Sequence, residues 1–103
     1  MAIVVEAEFS GPGATAANYD TAIKKMGCFP AGRHPDPGNL FHWMRVESPT
    51  KFLVVDVWKS EEYWKVFLQN ILGPSMTGSP LPQPTITIHE LHNFLRAGGL
   101  DPL

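Results

Sequence analysis

Residues 2 to 9 alternate between two kinds of side chain. Ile3, Val5, Ala7 and Phe9 fall on one parity and Val4, Glu6 and Glu8 on the other, the period-two pattern of a strand with one buried face. Ser10-Gly-Pro-Gly13 ends it. From Thr15 the spacing changes, because Tyr19, Ala22, Ile23 and Met26 recur at i, i+3, i+4 and i+7, which predicts an amphipathic helix. Thr15 suits the N-cap and Gly27 the stop. Phe29 to Asn39 holds three prolines and two glycines and reads as a long, rigid loop. Two strands follow, Leu40 to Val46 and Phe52 to Trp58, joined at Ser48-Pro49-Thr50 into an antiparallel hairpin. Ser60 with Glu61 and Glu62 behind it marks a second helix start, since the hydroxyl caps the first amides and the carboxylates complement the positive helix end. Tyr63, Trp64, Val66, Phe67 and Ile71 form its apolar stripe, and Gly73-Pro74 is the expected stop. From Pro74 to Pro84 the chain holds four prolines, an irregular connection. A last strand is expected from Thr85 to Phe94, then a Gly98-Gly99 tail.

The order β-α-β-β-α-β predicts an α+β, ferredoxin-like fold. Right-handed crossovers then place both helices on one face of a four-stranded antiparallel sheet. The domain takes in residues 1–95, and 96–103 form a C-terminal tail. The second sheet face is left bare and carries apolar residues, so a two-fold homodimer packed sheet to sheet is expected. A 103-residue chain builds one core and buries only about two thirds of its unfolded surface, which favours a partner subunit.

The hairpin register carries the chemistry. If Glu47 lies opposite Lys51, then Val46 meets Phe52, Met44 meets Val54, His42 meets Asp56 and Leu40 meets Trp58. His42 and Asp56 become a charged pair on an apolar face beneath the helices. A carboxylate buried there needs a partner, and an imidazole held by it gains basicity. The pair serves either general acid/base chemistry or simply the fastening of two strands. In His89-Glu-Leu-His92, residues three apart on a strand point to opposite faces, so the imidazoles cannot chelate one ion and no metal is expected. His92 shares the core-facing side with Ile86 and Ile88 and is a second candidate base. Tyr19, Tyr63, Trp58, Trp64 and Met44 are the candidate substrate-binding residues, and for the aromatic ones core packing is the ordinary explanation. His34 reads as a solvated loop residue.

The remaining composition mostly excludes. A net charge of -2 without a basic cluster argues against nucleic acid and anionic membranes. The apolar run Met1 to Val5 is too short for a signal or a span, so a cytoplasmic protein is expected. Cys28 stands alone and reads as a bystander thiol. No glycine-rich phosphate loop follows a strand, so no nucleotide cofactor is expected.

The element order, the passage Trp58-Lys-Ser-Glu-Glu-Tyr63 and the stretch Gly38-Asn-Leu-Phe-His42 together resemble the antibiotic biosynthesis monooxygenase-like, dimeric α+β barrel superfamily over residues 1 to 95. The resemblance implies a barrel of two sheets and a ligand pocket in each subunit. It also implies chemistry of the kinds that group contains: cofactor-independent oxygenases of polycyclic aromatics, haem-degrading oxygenases, and polyketide cyclases and lyases. Trp58 matches the functional Trp of the haem-degrading branch, whose first-strand Asn and second-helix His have no counterpart here. The expectation is therefore a cofactor-free monooxygenase of an aromatic or polyketide-like molecule, with His42 held by Asp56, or His92, as the base. The alternatives are a cyclase, isomerase or lyase using the same base, and a non-catalytic ligand-binding dimer.

Overall fold

The computed structural model describes residues 1–27 and 36–93. Cys28, His34, Phe94 and the expected tail lie outside the described residues. The elements are β1 (Ile3–Ser10), α1 (Ala16–Lys25), β2 (Asn39–Ser48), β3 (Lys51–Trp58), α2 (Glu61–Phe67), a π-helical turn (Leu68–Leu72), α3 (Gly73–Met76) and β4 (Thr85–Glu90). The strands form one antiparallel sheet in the order β2-β3-β1-β4, the ferredoxin-like arrangement expected from the alternation of elements.

Ile3, Val5, Ala7 and Phe9 are all buried, so β1 lies as its parity predicts. Two apolar clusters sit on that face. In the first, Trp64 and Phe67 of α2 pack on Ile3, Val5 and Trp58. In the second, Tyr19 of α1 and Met44 pack around Ala7, Phe9, Ala14, Phe52 and Val54. Phe9 stacks on Phe52 with ring centroids 4.7 Å apart, and Trp58 lies 4.9 Å from Phe67. Both helices therefore cover the same side of the sheet, and aromatic rings from helix and strand meet in each cluster.

The helix starts follow from their caps. Thr15 Oγ1 accepts from the Asn18 amide at 3.1 Å, and Ser60 Oγ from the Tyr63 amide at 3.3 Å, each satisfying one of the donors a first turn leaves open. Lys24 and Lys25 close α1 at its negative end, and Gly27, at φ +87°, takes the left-handed conformation past it.

Four expectations need correction. The stripe of α2 is narrower than its apolar residues suggest, since Trp64 and Phe67 are buried while Tyr63 and Val66 are 45% and 50% exposed. One position along a helix is a turn of about 100°, and a two-turn helix resting on a sheet can bury one ridge only. Gly73-Pro74 does not stop the chain's helical run. The Gly73 amide bonds back five residues to the Leu68 carbonyl, and Pro74 falls in the first turn of α3, where its missing N–H is not needed.

The hairpin register holds at its centre and slips at both ends. Val46 faces Phe52, Met44 faces Val54 and His42 faces Asp56, but Ser48 instead of Glu47 faces Lys51, and Asn39 instead of Leu40 faces Trp58. A bulge at each end absorbs one residue. Finally, β4 ends at Glu90, so His92 lies beyond the strand and is exposed. Ile86 and Ile88 do lie opposite Ala7 and Val5, yet remain 38% and 41% exposed at the sheet edge. Among the described residues no helix is long and apolar enough to cross a membrane.

Candidate active site

Between the two clusters lies a cavity of about 60 Å³. The sheet contributes Val5, Ala7, Phe9 and Val54, and the helices contribute Tyr19, Ala22, Trp64 and Phe67. Ala7 and Ala22 are small, so the strand and the helix meet without filling the space between them. Ile23, Met26, Leu72, Met76 and Leu81 also line it. The volume suits a few water molecules and falls short of a drug-sized pocket. Thioether side chains are the most adaptable part of such a wall.

Two polar side chains of the hairpin reach this cavity. His42 and Asp56 are cross-strand partners, and His42 Nδ1 lies 2.6 Å from Asp56 Oδ1. Asp56 is a buried carboxylate, 8% exposed. An ionised carboxylate only accepts, so Nδ1 carries the hydrogen in this bond, and in a neutral ring Nε2 is left as an acceptor. Tyr19 of α1 meets that nitrogen, with its hydroxyl 2.5 Å from Nε2 and the two rings only 3° from parallel. The result is a continuous chain from Tyr19 Oη through the imidazole to the Asp56 carboxylate.

A fourth member is Asn39, whose Nδ2 donates to Asp56 Oδ1 at 3.0 Å. Asn39 is the residue sequence reasoning missed. By strict alternation it would share the far face of the sheet with Phe41 and Trp43. The bulge at Leu40 shifts the register by one and brings Asn39 onto the Asp56 face. Just upstream, Asp36 Oδ1 accepts from the Gly38 amide at 2.8 Å, and the Gly38 carbonyl accepts from the Lys59 amide at 2.9 Å. The start of β2 is thus tied to the end of β3, which holds Asn39 in place. The only available sequence signal was an amide side chain one residue past a Pro-Gly turn.

The other candidate residues are differently placed. Trp64 lines the cavity. Trp58 lies beneath Trp64 and Phe67 at 0% exposure, in the core behind the cavity wall. Met44 packs on the second cluster without reaching the cavity. The Tyr63 ring lies over Gly38, where no side chain intervenes, and faces outward. His92 sits with Met1, Glu90 and Leu91 at the far end of β4, away from His42. Among the described residues, no group of three or more His, Cys, Asp or Glu side chains is arranged to hold a metal ion.

No protein-family model matches the chain, and no curated protein matches it in sequence. Solved structures do resemble it. SnoaB, a cofactor-independent oxygenase from Streptomyces nogalater, superposes with a TM-score of 0.68 at 16% identity, over 91% of this chain and 96% of that one. A proposed antibiotic biosynthesis monooxygenase from Chloroflexus aurantiacus gives 0.70 at 14% identity, over 95% and 100%. The NE2512 protein of unknown function from Nitrosomonas europaea gives 0.72 at 18% identity, over 95% and 96%. At these identities the likeness establishes the fold.

Proposed function

We propose that this chain, which has the fold of the antibiotic biosynthesis monooxygenase-like proteins, is a cofactor-independent monooxygenase of a small aromatic or polyketide-like molecule. The observation that carries the reading is the Tyr19, His42 and Asp56 chain set in the wall of a cavity whose other lining residues, among those described, are apolar. His42 is the proton acceptor, and Asp56 holds its ring and offsets the imidazolium charge. Loss of a proton turns a phenol or enol into an electron-rich anion. That anion passes one electron to dioxygen, and the resulting substrate radical and superoxide combine to form a C–O bond. The peroxide takes a proton back, and loss of water leaves a new carbonyl. One dioxygen thus gives one carbonyl oxygen and one water. An apolar wall strengthens the electrostatic part of this sequence, and a substrate that displaces water from it limits side reactions of the peroxide.

The same groups move a proton whether or not oxygen follows, which supports a cyclase, isomerase or lyase as the second reading. The test is substrate-dependent oxygen uptake with activated phenols such as 1-naphthol, measured with purified protein and with His42→Ala. The wild type is expected to consume oxygen and the variant to lose activity by about a hundredfold or more. Turnover that persists undiminished under strict anaerobiosis would select the second reading, and full activity in His42→Ala would remove both. A bicyclic substrate exceeds the cavity, so Met26 and Met76 are expected to swing aside on binding. The proposed assembly is a homodimer through the far face of the sheet, where Phe41 and Trp43 are exposed.

A further inference from the structure

The helical run from Glu61 to Met76 is interrupted by one turn of different pitch. The π-helical turn Leu68–Leu72 joins α2 to α3, and in it the Gly73 amide reaches back five residues to the Leu68 carbonyl. Such a turn holds one residue more than an α-turn, so each side chain after it is displaced by one position, about 100° around the axis. At uninterrupted α spacing the inward ridge of Trp64 and Phe67 would continue through Ile71 to Pro74 or Ser75. Those three residues instead line an outer groove with Lys25 and Asn70. Leu72 and Met76 take the inward positions and line the cavity beside Trp64 and Phe67.

Gly73-Pro74 accounts for the wide turn. In an α-helix the Pro74 ring would press on the carbonyl four residues back, and a wider turn makes room for it. A Cβ on Gly73 would stand 3.0 Å from the Leu68 carbonyl oxygen, the atom that accepts the five-residue bond, so glycine lets the turn close.

We infer that this turn sets the size of molecule the site accepts, by making Leu72 and Met76 the end wall of the cavity. The inference rests on the cavity being the substrate site and assigns the residues that limit its occupant. Met76 is unbranched and folds aside readily. Leu72 is branched and packs against the cluster of Trp58, Trp64 and Phe67, so it has less freedom to move. The fitting substrate is a phenol or enol of two fused rings, to which Met76 yields, and a third fused ring meets Leu72.

Binding tests this apart from turnover. Isothermal titration calorimetry under nitrogen gives dissociation constants for 1-naphthol, with two fused rings, and 9-phenanthrol, with three. The wild type is expected to favour 1-naphthol. Leu72→Ala is expected to shift the ratio of the two constants toward 9-phenanthrol by about tenfold and Met76→Ala by about threefold, while Ile71→Ala, a truncation of equal size next to Leu72, shifts it by less than about twofold. Leu72→Val, which keeps more of the packing, shifts it in the same direction and serves where thermal melts show the alanine variant unfolded.

An unchanged ratio in folded Leu72 variants overturns the assignment. An equal shift in Ile71→Ala does so too, since it would return the helix to the α phase, and so does failure of 1-naphthol to bind the wild type. Oxygen uptake is read on the same proteins. A shifted ratio without uptake leaves the size assignment standing and removes the oxygenase reading, and uptake with an unchanged ratio does the reverse.

Discussion

The four polar residues of the site divide into a group that moves a proton and groups that hold it in place. Asp56 accepts from His42 and from Asn39 through the same oxygen, so the two donors are not equivalent when removed. Asp56→Asn keeps a carbonyl for the Nδ1 hydrogen but withdraws the charge that steadies an imidazolium, and turnover is expected to fall by roughly two to three orders of magnitude. Asn39→Ala leaves that charge in place. It is expected to cost about 1 kcal/mol of stability, seen as a melting temperature lower by several degrees, with turnover reduced about tenfold. Thermal melts and kcat measured on both variants separate the electrostatic part from the positional one. Equal losses of turnover would show that orientation of the carboxylate, not its charge, controls the site.

At the scale of elements, the cavity is a gap between packed units. α1 brings Tyr19, the hairpin brings His42 and Asp56, and the connection after α3 brings Leu81 to the wall. That connection is held down where Gly13, on the loop before α1, meets the Pro80 carbonyl so closely that no side chain fits between them. The Gly13 carbonyl in turn accepts from Asn18 Nδ2 at 2.9 Å, which ties the loop to the first turn of α1. Gly13→Ala is expected to push the Pro80 segment outward, costing about 1–3 kcal/mol. Its second effect is a wall loosened at Leu81, readable as faster amide exchange across 77–84 while β1 and β3 stay protected. The same protection in both proteins would place the contact outside the cavity's support.

For the whole molecule the governing fact is how little the helices cover. They shield one face of the sheet, while the other carries Val4, Leu53 and Val55, all partly exposed, with Phe41 and Trp43 at 41% and 38% exposure in the single chain. Its turn end is charged, with Arg45 on Glu47 at 2.7 Å and Lys51 between Glu8 and Glu47 at 3.4 and 3.8 Å. Exposed pairs of this kind add little stability, but they suit the wet rim of an interface. The proposed homodimer would sediment at about twice the 11.4 kDa chain mass. Trp43→Glu is expected to return it to a monomer without disturbing the His42 site on the opposite face. An unchanged mass by analytical ultracentrifugation would exclude this face as the interface.

What the chain's own pattern determined is what neighbouring residues decide among themselves. Alternation set which side of β1 faces inward, Thr15 and Ser60 set where the helices begin, and parity along the hairpin brought His42 opposite Asp56. Each of these is a short-range steric or hydrogen-bonding choice, complete within a few residues. Tertiary packing alone decided the rest: that Leu40 bulges and carries Asn39 across the sheet, that Trp64 and not Tyr63 turns inward, that β4 stops before His92, and that Tyr19 arrives at a ring 23 residues away. A bulge or a helix rotation changes little locally, and its sign is settled by how much apolar surface and how many buried polar groups the packed whole can satisfy.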